Sequence, residues 1–88
     1  MKIVWKFQLE TTDEQTVMLP AGAEPLTIQV QYGNPCLWCL VDPQIHTEPH
    51  RIRIVGTGHE IESGFSGKYI GTYQLENGSF IGHVFLTP

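Results

Sequence analysis

Apolar and polar residues alternate along most of this chain with a period of two. Between Lys2 and Leu9 the odd positions Ile3, Trp5, Phe7 and Leu9 are apolar, with Lys6 and Gln8 between them. That is the pattern of a half-buried strand, and Val4 is its one exception. Thr11-Thr12-Asp13 breaks the pattern with side chains that bond their own backbone. A second strand is predicted from Gln15 to Leu19, with Val17 and Leu19 inward, ended by Pro20-Ala21-Gly22. Leu26, Ile28, Val30 and Tyr32 then alternate with Thr27, Gln29 and Gln31, and Gly33-Asn34-Pro35 turns the chain. Cys36 to Val41 is apolar on both faces, which predicts a central strand or one with a face in an interface.

Asp42-Pro43 ends that run, and Gln44 to His50 reads as a surface loop. Arg51 to Val55 alternates again, with Ile52 and Ile54 on one face and two arginines on the other. The residues from His59 to Gly67 read as a loop with room for a single helical turn. Two last strands, Lys68–Leu75 and Phe80–Leu86, flank Glu76-Asn77-Gly78-Ser79, and Asn-Gly is the strongest short signal for a hairpin turn. No window carries a capped 3.6-residue period. The expected fold is all-β: one domain over residues 1–88, a sandwich or small barrel of six to seven short antiparallel strands.

Eighty-eight residues bury a thin core, so a subunit interface is expected to add stability, most simply as a two-fold dimer through the two-faced Cys36–Val41 strand. A net charge of −4 argues against a nucleic-acid polymer as partner. No apolar run has the length of a membrane span, and the N-terminus has no signal-peptide core. The expected location is the cytoplasm, with Cys36 and Cys39 as reduced thiols.

The candidate chemistry centres on Arg51-Ile52-Arg53-Ile54-Val55-Gly56-Thr57-Gly58-His59, where positive charge, backbone freedom and an imidazole fall together. Arg51 and Arg53 would pair with phosphate or carboxylate oxygens. The amides of Gly56, Thr57 and Gly58 and the ring of His59 would complete the site, and Trp38 could stack on a base. The competing reading pairs the arginines with Glu60 or Glu62 as a solvated network. The glycines lack the helix that a phosphate loop requires. Cys36-x-x-Cys39 with His46-x-x-x-His50 imitates a zinc ligand order, but residues three apart on a strand point to opposite faces. No nucleophile elbow or supported Cys–His pair argues for catalysis, although His59 with Glu60 and Glu62 offers an acid–base set.

Trp5-Lys6-Phe7 with Thr12-Asp13-Glu14-Gln15, Pro20-Ala21-Gly22-Ala23, Pro35-Cys36-Leu37-Trp38, Leu40-Val41-Asp42-Pro43 and Gly56-Thr57-Gly58-His59 resembles a family of small phage and prophage-type bacterial proteins grouped as a domain of unknown function. The resemblance runs nearly the whole length and carries no assigned site. Cys39 stands where the family is expected to have alanine, and His46 and His50 fall in a segment expected to vary; both weaken the zinc reading. It implies an accessory protein acting on host machinery in the host cytoplasm. The leading expectation is a non-enzymatic, oligomeric binder that sequesters a host-derived anionic ligand such as a nucleotide immune signal. The alternative is an inhibitor that covers a host defence protein with a sheet face or edge; a small enzyme is third.

Overall fold

A computed structural model describes all residues 1–88. It contains seven strands: β1 (Ile3–Gln8), β2 (Glu14–Pro20), β3 (Glu24–Gln31), β4 (Asn34–Val41), β5 (Thr47–Gly56), β6 (Lys68–Leu75) and β7 (Phe80–Thr87). They form two antiparallel sheets, ordered β1-β4-β3 and β2-β5-β7-β6. The fold is therefore the predicted all-β, sandwich-like one. No helix is long and apolar enough to cross a membrane.

The core lies where the inward faces meet. Leu37, Cys39 and Val41 of β4 pack with Ile52 and Ile54 of β5, Val84 of β7, Leu19 of β2 and Ile28 of β3. Leu37 is flanked across the ladder by Phe7 on β1 and Ile28 on β3. Apolar burial on this scale is the main favourable term in folding. The core is thin, with 15 of 88 residues buried, so each large core side chain carries a considerable share of it.

Three expectations need correction. Thr47 to His50 is not loop but the start of β5, pairing in turn with Pro20, Leu19, Met18 and Val17 of β2. Pro49 is tolerated there because β7 first meets β5 at Arg51, so no ladder bond is asked of the proline nitrogen on that side. The alternation of Leu26, Ile28, Val30 and Tyr32 does not bury all four. A bulge between Pro25 and Thr27 shifts the register, and only Ile28 is buried. Tyr32 is a turn residue with φ of 52°, and its ring is exposed. Cys36–Val41 is central, as predicted, yet its outer face is only partly covered: Trp38 and Leu40 are half-buried.

The β6–β7 connection bears out the Asn-Gly signal. Glu76, Asn77 and Gly78 all take positive φ in a single 3-10 turn, the left-handed backbone that Asn and Gly adopt most readily.

Candidate functional site

Arg51 and Arg53 lie two residues apart on β5, on the face opposite Ile52 and Ile54, and so share the outer face of the four-stranded sheet. There Arg53 sits beside Glu14 of β2 and Phe85 of β7. The loop after β5 folds back over this face. Its Glu62 accepts two hydrogen bonds from the Arg53 guanidinium, at 2.7 and 2.9 Å. Phe65 of the same loop places its ring 5.5 Å from the Arg53 guanidinium carbon. Phe65 meets Phe85 edge-on at 5.3 Å, and Phe85 meets Tyr69 at 5.7 Å. Loop 57–67 is thus latched by a two-point ion pair and by Phe65, which meets both Arg53 and Phe85.

The carboxylate that answers Arg53 is Glu62, one of the two that sequence adjacency offered. Hydrogen bonding from Arg53 holds the Glu62 carboxyl down to about 2, and the same bond raises Arg53 above its ordinary value. Because the folded-state pKa of Glu62 lies below its unfolded value, the latch is fully present above the ordinary carboxyl range. It is lost as pH falls toward 2. The exchange protection factor of the Phe65 amide, which donates to the Glu62 carbonyl, should therefore hold from neutral pH down to about pH 4 and fall only nearer pH 2. A protection factor that falls already between pH 6 and 5 would refute the latch.

Arg51 is different. It is exposed and has no carboxylate partner. It shares with Arg53 an open cleft of about 290 Å³ whose walls include Glu14, Ser63, Phe65 and Thr87. Two guanidinium groups on one face repel, and Glu62 neutralises only one of them.

The other predicted site residues do not join this cleft. His59 turns to the opposite side of β5. Its ring lies against Gly56, where an added Cβ would come 2.8 Å from Nδ1. Gly56 has the parity of Ile54, so the imidazole rests at the core-facing rim with Thr12, Asp13 and Phe80. Gly58 takes φ of 82° to make that reversal. Trp38 lies on the outer face of the other sheet, since its neighbours Leu37 and Cys39 point inward. The two sheets and the core therefore separate Trp38 from the arginines. It cannot stack on a ligand they hold.

Thr57 belongs to a second polar group. Its Oγ1 is 2.6 Å from Nε2 of His83 on β7, and Nδ1 of His83 is 2.9 Å from Oγ1 of Thr72 on β6. Thr72 Oγ1 is in turn 2.6 Å from the Tyr69 hydroxyl. A neutral imidazole donates from one nitrogen and accepts at the other, so the row Tyr69–Thr72–His83–Thr57 is fully bonded. Sequence reading missed His83. Alternation could place it outward on the last strand, but only the β5-β7-β6 order brings the two threonines to it.

The zinc-like set does not converge. Cys39 points into the core and Cys36 to the other face of β4. Burial pushes the Cys39 thiol up to about 11. Cys36 is also nearly inaccessible: the Lys6–Gln31 hydrogen bond crosses β4 over it, since those residues oppose Trp38 and Asn34. His46 lies 3.7 Å from Glu48, and His50 bonds the Glu48 carbonyl. No three His, Cys, Asp or Glu side chains come together.

Fold and cleft define a small antiparallel β-sandwich with a charged groove on one outer face and an apolar patch around Trp38 on the other. The chain belongs to the DUF7352 family, a domain of unknown function whose family model matches residues 1–88. No curated protein and no solved structure matches it.

Proposed function

We propose that this protein is a non-catalytic binding domain that captures a small anionic ligand in the cleft beside β5, with Arg51 as the receiving cation. The observation that carries the reading is the unequal pairing of the two arginines. Glu62 and Phe65 hold Arg53 rigidly, while Arg51 stands unpaired in the same cleft. An arginine fork matches a phosphate or carboxylate in two-point geometry. Glu14 also lines the cleft, which restricts it to one anionic group rather than a polyphosphate run. The cleft volume lies at the lower end for small-ligand sites. In the phage-type setting that the sequence resemblance implies, the ligand is host-derived, and a nucleotide signal held out of circulation is the specific form.

Titration calorimetry with inorganic phosphate, a mononucleotide and a cyclic nucleotide tests this. Arg51→Ala should lose at least about tenfold in affinity for whichever anion binds, with an unchanged melting temperature, because the side chain is exposed and unpaired. Binding that survives Arg51→Ala, or no binding by any of the three, would end the proposal.

A second reading rests on the other face. Half-buried Trp38 and Leu40 lie beside exposed Val4, with exposed Leu26 close by on β3. A tryptophan in an apolar patch is the usual anchor of a protein interface. This favours a blocker of a partner protein, and Trp38→Ala would weaken that contact while leaving the anion cleft intact.

A further inference from the structure

Four strands lie at a sheet edge, β1 and β3 in one sheet and β2 and β6 in the other, but β3 and β6 close against each other where Gly71 meets Ile28, so the open edges are β1 and β2. Natural sheets blunt such edges with prolines and bulges, because unpaired N–H and C=O groups recruit further strands. Three of the four follow this rule. β2 ends in Pro20, β3 carries Pro25 with a bulge beside it, and β6 is bulged between Tyr69 and Gly71. β1 has no proline and no bulge, and its one charged side chain, Lys6, is turned across β4 onto Gln31. It is regular over all six residues, and no backbone hydrogen bond joins it to anything but β4. Ile3, Trp5 and Phe7 face inward from it yet remain only partly covered.

We propose that β1 is the self-association edge: the β1 strands of two copies pair antiparallel about a two-fold axis, joining two three-stranded sheets into one of six. The sequence of β1 selects the partner and the register. Directly opposed residues share a face, so only registers that match odd positions with odd keep Trp5 and Phe7 on the core side. Centring on Val4 opposes Lys2 to Lys6 of the second copy, and centring on Lys6 opposes Lys6 to itself. Both place like charges together. Centring on Phe7 leaves Ile3 and Val4 unpaired. Centring on Trp5 opposes Trp5 to Trp5, Ile3 to Phe7 and Val4 to Lys6, with no like charges and the apolar row continuous. β1 is thus complementary to itself. The Cys36–Val41 strand, which the sequence pattern marks for self-association, has both edges paired by β1 and β3 and so offers a second copy only its outer face, not an edge.

Val4 gives the test, because it is exposed on the outer face and occurs opposite Lys6 twice in the pair. Sedimentation equilibrium of the full chain should show a monomer–dimer equilibrium in the micromolar range. Val4→Glu should tighten it and Val4→Lys loosen it, with about tenfold between their dissociation constants at low salt and less at high salt. Circular dichroism would confirm that both variants keep the wild-type fold. A wild-type protein that stays monomeric throughout that range overturns the proposal. So does a dimer indifferent to the charge at position 4, which would pair through another surface.

Discussion

Leu37→Ala should lower stability by about 3–5 kcal/mol, a large part of the 5–15 kcal/mol that holds a typical domain together. Leu37 is fully buried at the middle of the central strand of its sheet, with Phe7 and Ile28 beside it on the flanking strands. Removing its three terminal carbons leaves a cavity facing Ile52, Ile54 and Val84 from the other sheet. β4 is hydrogen-bonded along both edges by β1 and β3, so its backbone has little freedom to close the gap. Urea denaturation should show the midpoint falling with the slope little changed. Val30→Ala, at a position 41% exposed on edge strand β3, should stay within about 0.5 kcal/mol of wild type. Equal effects at the two positions would mean that the core is not centred on β4.

Gly82→Ala should destabilise by overpacking, by about 1–3 kcal/mol, although it adds one methyl group. A Cβ at Gly82 would lie 2.8 and 2.9 Å from two ring carbons of Tyr73 and 3.0 Å from a methyl of Ile54. Both neighbours are buried. Tyr73 cannot move freely, because its hydroxyl bonds Thr11 at 2.9 Å and ties the β1–β2 loop to β6. The control is Gly56→Ala. There the clashing group is the exposed ring of His59, which can swing into solvent, so that variant should melt close to wild type. Thermal melts of the two alanine variants compare a blocked neighbour with a free one. If Gly82→Ala melts at the wild-type temperature, Tyr73 and Ile54 have room that the packing denies them.

The strands could be read from alternation because a sheet with one wet face needs every second residue apolar, and that need is written locally. The inward placement of Ile52 and Ile54 follows from the same local rule, and the Asn-Gly hairpin from turn chemistry that is equally local. Alternation failed at Leu26, Val30 and Tyr32, where a bulge and a turn remove the face the pattern assumes. It failed at Thr47–His50, where a proline looked like a loop but sits on a stretch of strand paired with β2 and without a neighbour on the β7 side. The site was legible only in part. Placing Arg51 and Arg53 on one face requires nothing beyond period two, and pairing with Glu62 was one of two local options.

The amino-acid sequence by itself thus determined most of the strand residues, the apolar face of each regular strand and where the two arginines point. Only the tertiary structure decided which strands are neighbours, because pairing partners are chosen by contacts distant in sequence. That order puts Trp38 on the far side of the sandwich from the arginines, brings His83 between Thr57 and Thr72, and leaves β1 as the unguarded edge. It also decides that His59 turns away from Arg51. The positive φ at Gly58 reverses the chain within a single turn, and the bare Cα of Gly56 offers the imidazole a place to rest.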